Sequence, residues 1–128
     1  MKRTLVTVAT VASDRSYASP QLDKGLRALA NPTRLRVLEL LRDPSKFEGP
    51  RTADGRPLGV TAKSLLKHLR CTQPSLNEQM GILLGLGLVE SKKVGRWVVY
   101  TRDEERIRQL KQAIVDHLLP PAPTTVNT

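Results

Sequence analysis

The stretch LLKHLRCTQPSLNEQM, Leu65–Met80, decides how the rest of the chain reads. Ala62, Leu65, Leu66 and Leu69 recur at i, i+3, i+4 and i+7, one face of a helix. Arg70-Cys71-Thr72 make a turn. Thr72 suits an N-cap, because its hydroxyl can accept from a free backbone N–H. Pro74 falls in the first turn that follows, where its missing N–H needs no partner. Leu76, Met80, Leu83 and Leu84 then form the buried stripe of a second helix. Gln73, Ser75, Asn77 and Glu78 are left facing outward or towards the helix N-terminus. Residues 62–86 therefore predict a helix-turn-helix, the layout whose second helix can enter a DNA major groove.

Downstream, Leu88–Arg102 (LVESKKVGRWVVYTR) predicts a β-hairpin with its turn at Val94-Gly95. Gly87 is placed to end the preceding helix in the left-handed cap conformation. Gly81 and Gly85 either weaken that helix or admit a close backbone. Lys92, Lys93 and Arg96 sit at the hairpin tip, so the hairpin reads as the wing of a winged helix, set to lie along a DNA backbone or reach its minor groove. Trp97 reads as an anchor between wing and core. Thr101 or Asp103 caps a last helix, residues 103–119, with acidic residues in its first turn to suit the dipole. Ile107, Leu110, Ile114 and Leu118 give this helix one apolar stripe. The proline-rich end, residues 120–128, reads as a disordered tail.

Upstream, Ser19-Pro20 opens a first helix with Leu22, Leu26 and Leu29 on its apolar face. Asn31-Pro32 repeats that signal, opening a second helix to about Arg42. This one is apolar on most sides (Leu35, Val37, Leu38, Leu40, Leu41) and is expected to be central. Residues 43–59 form a long loop rich in Pro and Gly, with Leu58-Gly59-Val60 a short strand at its end; a mobile surface loop is the plain expectation. Residues 1–18 alternate weakly but show no helical period and read as a flexible arm. Their two basic residues and threonine-rich run do not make a signal peptide. The stripe Ile107/Leu110/Ile114/Leu118 can pack on the chain's own core or pair with its twin across a two-fold axis; with the Leu22/Leu26 stripe beside it, the dimer is the favoured expectation.

With 128 residues there is room for one domain, a mainly α winged helix-turn-helix over residues 19–119. The net charge of +9, from 21 Lys+Arg against 12 Asp+Glu, favours a polyanionic partner. No stretch reaches a membrane span, and the single cysteine fits a reduced, cytoplasmic setting. An enzyme would need a nucleophile with its base or a carboxylate pair in a pocket, and no such constellation is present. An RNA-binding module would need stacking aromatics, yet the chain has one Phe, one Trp and two Tyr. The rival class that remains is a winged-helix adaptor for another protein, or a non-specific nucleic-acid binder.

Two segments, LRALANPTRLRVLELL (residues 26–41) and TQPSLNEQMGILLGLGLVESKKVGRWVVYTRD (residues 72–103), resemble the ArsR-type (arsenic-repressor-like) winged-helix regulators. The first resembles the pattern L-A-x-P-x-R-x-x-I-L-x-L-L. The second resembles S-Q-x-x-x-S-x-H-L…L…G-L-V…R-x-G-R-x-x-Y-Y. The resemblance covers about residues 20–118. It implies a cytoplasmic, homodimeric, DNA-binding repressor that dimerises through its first and last helices. It leaves room for a small-molecule inducer. There are departures. Residues 60–69 have no Cys-x-Cys metal motif, and the last helix offers Asp103, Asp116 and His117 without a spaced histidine pair. No cofactor and no intrinsic metal site are therefore expected. Cys71 reads as a small core plug. Glu78 and Gln79 stand where histidines are common, and residues 43–59 are longer than the family's usual loop.

On this reading the DNA-binding residues are Thr72, Gln73, Ser75, Asn77, Glu78, Lys92, Lys93 and Arg96. Asn and Gln can pair bidentately with adenine, and Glu can accept from cytosine N4. Thr72 and Ser75 can instead donate to phosphate, which positions without specifying. Lys63 and Lys67 are weaker phosphate candidates, and His68 reads as simply exposed.

Overall fold

The computed structural model describes residues 19–120. The expected arm over residues 1–18 and the tail beyond Pro120 lie outside them. The described elements are helices α1 (Ser19–Leu29) and α2 (Pro32–Leu40), a 3-10 turn (Pro44–Lys46), strand β1 (Val60–Thr61), helices α3 (Ala62–His68) and α4 (Gln73–Gly85), strands β2 (Val89–Val94) and β3 (Trp97–Arg102), and helix α5 (Glu104–Leu118). The three strands form one antiparallel sheet in the order β1-β3-β2.

Local chemistry starts α2, α3, α4 and α5 where side chains can satisfy free N–H groups. Asn31 Oδ1 accepts from Arg34 N at 3.0 Å, Thr61 Oγ1 from Ser64 N at 3.1 Å, and Thr72 Oγ1 from Ser75 N at 3.2 Å. For α5 the cap is Asp103, not Thr101: its carboxylate accepts from Arg106 N at 3.0 Å. Helix α4 ends in a Schellman arrangement. Leu88 N donates to Leu83 O (3.1 Å), Gly87 N donates to Leu84 O (3.0 Å), and Gly87 sits at φ +74°. Leu83 and Leu88 are both fully buried, which adds the hydrophobic contact this motif favours.

The core is built almost wholly from Leu and Val. Val37, Val60, Leu65, Leu76, Leu83 and Leu88 have no exposed surface, and Met80 and Val89 have 2%. Fully burying such a side chain is worth about 1.5–3 kcal/mol. α1 packs on α2 and α5, α2 packs on α4, and α4 packs on β2, so the helix-turn-helix is held from both sides.

Four details differ from the sequence expectations. α2 ends at Leu40, with Leu41 as its C-cap, rather than at Arg42. Leu35 is 45% exposed, so α2 is buried on one side only. The short strand is Val60–Thr61, starting two residues later and ending one later than Leu58-Gly59-Val60, because pairing with β3 sets its register (Val60↔Tyr100, Thr61↔Val99). Finally, residues 43–59 are a self-bonded hairpin rather than a featureless loop. Thr52 N donates to Arg56 O (2.8 Å) and Leu58 N to Pro50 O (3.0 Å), with a bridge between Arg51 and Pro57. The Arg51 guanidinium donates to Gly55 O (2.8 Å) and Ser45 O (3.1 Å). Phe47 packs on the core and meets His68 edge-to-face at 5.1 Å; His68 is exposed, as expected, but carries this ring contact. Such a segment needs little apolar content because its polar backbone pairs with itself.

Two glycines make opposite predictions. A Cβ on Gly59, at φ +150°, would lie 2.9 Å from both Tyr100 O and Val99 Cβ. Gly59→Ala is expected to cost about 1–3 kcal/mol, since both the backbone conformation and the space exclude a side chain. A Cβ on Gly81 would meet nothing within 4 Å, so no backbone of this chain needs that space. Gly81→Ala is expected to stabilise α4 by about 0.5–1 kcal/mol. Urea unfolding midpoints of the two variants check both signs.

Candidate nucleic-acid interface

α4 divides cleanly into an inner and an outer face. Leu76, Met80 and Leu83 are at most 2% exposed and fix its rotation about its axis. What then faces out is Gln73, Asn77, Glu78 and Gly81, with Ser75 and Gln79 half-buried along one side. Thr72 is exposed at the N-terminus, its hydroxyl occupied by the cap bond. The structure thus gathers all five residues expected on this helix at one surface. Cys71 packs against the core, as its reading as a small plug requires.

Gln73 and Asn77 are linked. Gln73 Nε2 donates to Asn77 Oδ1 at 3.2 Å, an i,i+4 pair. In this state Gln73 keeps a free carbonyl oxygen and Asn77 a free NH2. Gln73 also keeps a second amide hydrogen and Asn77 a second oxygen lone pair, so either amide can still offer adenine one donor and one acceptor with the pair closed. Glu78 has no ion-pair partner among the described residues. The sequence of α4 contains no Lys or Arg, so positive charge must come from its surroundings.

The wing lies beside α4, since β2 packs against it. Its turn is one residue later than expected. Val94 pairs with Trp97, leaving Gly95 (φ +62°) and Arg96 as the two-residue loop. Positive φ at the first loop position is what the primed hairpin turns demand. Lys92 and Lys93 are both exposed but fall on opposite faces, because successive strand residues alternate. Lys92 is opposite Val99, and Lys93 opposite Val98. Arg96 stacks its guanidinium 5.5 Å from the centre of the Trp97 ring. Trp97 therefore supports the tip of the wing and does not anchor it to the core. That anchoring falls to Val89, Val99 and Tyr100, all at most 9% exposed. Burial pushes the Tyr100 hydroxyl above its ordinary pKa of 10, so the stability it contributes is present below that pH and is lost as pH rises through the raised value.

The expected dimer residues separate into two groups. Leu22 (7% exposed) and Leu110 (2%) are used up in the chain's own core, because α1 packs directly on α5. Leu26 (45%) and Leu118 (74%) stay open, and Leu119 (60%) joins them. Ile107 and Ile114 lie between, half-buried in an open apolar groove of about 250 Å³ whose walls include Leu29, Leu38 and Val115. Among the described residues no three His, Cys, Asp or Glu side chains come together as a metal would require.

One pair escaped the sequence reading. Arg34, in the first turn of α2, donates from Nη1 to Gln79 Oε1 on α4 at 2.5 Å. The same guanidinium donates to Ala28 O (2.7 Å) and Arg27 O (3.3 Å) at the end of α1. The only local signal was an arginine three residues after the Asn31 cap, and its partner lies far along the chain.

No protein-family model matches the chain. Among solved structures, an ArsR family transcriptional regulator superimposes with a TM-score of 0.59 at 23% identity, covering 78% of this chain and 89% of its own. A homodimeric winged helix-turn-helix DNA-binding domain from Mycobacterium bovis gives a TM-score of 0.52 at 23% identity, covering 75% and 77%. YbzH, an HTH-type transcriptional regulator of Bacillus subtilis, is 33% identical over 85 residues, 66% of this chain and 85% of that relative. NmtR, an HTH-type transcriptional regulator of Mycobacterium tuberculosis, is 31% identical over 102 residues, 80% of this chain and 73% of its own. The chain belongs to the HTH-type transcriptional regulators, and its fold is that of the ArsR-type winged-helix structures.

This regulator is a DNA-binding protein, and α4 is the element that corresponds to the second helix of its helix-turn-helix. The rival adaptor reading loses its ground to the regulator relatives. Thr72→Ala removes the only side-chain cap of α4 and is expected to cost about 0.5–2 kcal/mol, typically ~1. Thermal unfolding of the variant checks the loss.

Proposed function

We propose that this regulator is a cytoplasmic, homodimeric repressor that binds a two-fold operator. In this arrangement α4 reads base edges in the major groove and the wing follows the phosphate backbone. The observation that carries the reading is the outer face of α4: Gln73, Asn77 and Glu78 exposed on a surface fixed in rotation by a fully buried stripe, with a basic hairpin at its side. Gln73, Ser75, Asn77 and Glu78 are the base readers. Glu78 favours cytosine and repels nearby phosphates, so it adds specificity more than affinity. Arg96 and one wing lysine contact phosphate at a time, since Lys92 and Lys93 face opposite ways.

Dimerism is supported by the apolar surface left on α1 and α5. Leu26, Leu118 and Leu119 are exposed in the single protomer, and an open apolar groove lined by Leu29, Ile107 and Ile114 lies on the same helices. A self-complementary patch of this kind suits a two-fold interface. The Mycobacterium bovis structure of the same fold is a homodimer. Among the described residues no helix is long and apolar enough to cross a membrane.

The test is binding to the intergenic DNA upstream of the protein's own gene against a scrambled duplex, at several salt concentrations, with the protein-to-DNA ratio measured. A specific complex of two protomers per site, falling steeply with salt, is the expected result. Equal weak binding to both duplexes would overturn sequence-specific repression. Asn77→Ala is expected to lose about 1–3 kcal/mol of discrimination at one base pair while affinity for other sequences holds. Arg96→Ala is expected to weaken all duplexes alike and lower the slope of log K against log salt by about one. Leu118→Glu is expected to shift the protein to monomers in sedimentation velocity without unfolding it, because the side chain is 74% exposed in the single chain.

A further inference from the structure

The guanidinium of Arg34, on α2, joins α1 and α4, with each of its three nitrogens donating. Nε donates to Ala28 O at 2.7 Å and Nη2 to Arg27 O at 3.3 Å, both carbonyls of the last turn of α1. These carbonyls form the negative end of that helix, where a cation is favoured. Nη1 donates to Gln79 Oε1 on α4 at 2.5 Å. The backbone of Arg34 is itself held, since its N–H donates to the Asn31 side chain at 3.0 Å. Arginine has donors only, so the Gln79 oxygen must be the atom that faces it. A lysine could not reproduce this fork, because its ammonium is a point charge without fixed planar geometry.

We propose that the Arg34–Gln79 clamp is a positioning device that sets the separation and tilt of the two reading helices in the dimer. The inference rests on the dimeric reading above. α1 carries Leu26, one of the residues left open for a partner, while α4 carries the base readers. Arg34 is the polar link that runs from one to the other. In a two-fold complex the distance between the two α4 helices fixes the operator half-site spacing, about one helical turn or a multiple of it. Each base pair inserted moves a half-site by roughly 3.4 Å and rotates it by about a tenth of a turn. A clamp that holds α4 against α1 therefore makes the protein intolerant of such insertions. Loosening it lets α4, still fixed in rotation by its buried stripe, tilt relative to α1 and follow a displaced half-site.

The clamp predicts which substitutions matter. Gln79→Leu removes the acceptor. Arg34→Lys keeps the charge but loses the fork. Gln79→Glu keeps an acceptor, and a carboxylate accepts from Arg more strongly than an amide. Each purified full-length protein is used to select binders from a randomised duplex library, and the selected half-sites are then rebuilt with the spacer lengthened or shortened by one base pair. The wild type is expected to bind the altered spacers about tenfold or more weaker. Gln79→Leu and Arg34→Lys are expected to bring that ratio to within about threefold, while Gln79→Glu keeps the wild-type ratio. The ratio is independent of overall affinity, so a general weakening by the new Glu charge does not affect it. Sedimentation of the complexes reports whether the bound protein is dimeric. Dimeric complexes in which Gln79→Leu and Arg34→Lys both retain the wild-type spacing preference would overturn the clamp alone. A wild type bound as a monomer would overturn the dimeric reading, and the clamp with it. Arg34→Lys keeps the experiment decisive should Gln79→Leu fail to fold.

Discussion

Everything the DNA-facing surface can do depends on where α4 is pinned. Leu76, Met80 and Leu83 are sunk between α2, α3 and the sheet, and the Schellman closure at Gly87 turns the chain straight into β2. Rotating α4 by even one residue would bring Gln79 or Asn77 inward and leave a buried amide unpaired, at a cost of about 1–3 kcal/mol. The apolar stripe thus does two jobs. It supplies a large part of the core and it selects, by exclusion, the polar residues presented to solvent. Because β2 follows with no free linker, the wing inherits its position from the same burial.

The electrostatic design follows from that constraint. A net charge of +9 is spread widely, yet α4 contains no basic residue and carries Glu78 on its outer face. Charge and amides are divided between elements: cations on the wing and around α3, amides on α4. Phosphate contacts give affinity and base contacts give discrimination, so placing them on separate elements lets each vary without disturbing the other. The two wing lysines facing opposite ways mean that a single DNA surface cannot collect the whole of the wing's charge.

Much of this was legible in the sequence. The 3.6-residue spacing of Leu65, Leu66, Leu76, Met80 and Leu83, the cap at Thr72 and the stop at Gly87 each specify local structure through nearby residues, and the structure has them as expected. The errors have a common physical origin. The wing turn falls one residue later, β1 starts at Val60 and Trp97 sits at the tip because strand register is set by pairing across the sheet, which no local pattern encodes. The stripes on α1 and α5 looked alike from spacing alone. Packing of α1 on α5 divided them, burying Leu22 and Leu110 and leaving Leu26 and Leu118 out. The Arg34–Gln79 bond was invisible because both residues are ordinary polar positions until the fold brings them together.

The hairpin over residues 43–59 closes on its own hydrogen bonds before the chain enters β1. Its tip residues Ala53, Asp54 and Gly55 are exposed, and a side chain at Gly55 would meet nothing within 4 Å. The segment is tied to the rest of the fold ahead of the hairpin, by Phe47 on the core and by the Ser64 hydroxyl donating to Glu48 O at 3.3 Å. Closing a longer loop costs little, about 0.6 kcal/mol for each doubling in length. This corner of the fold is free to change length, which makes it the natural place to carry a reporter group or an inserted peptide without moving the reading helix.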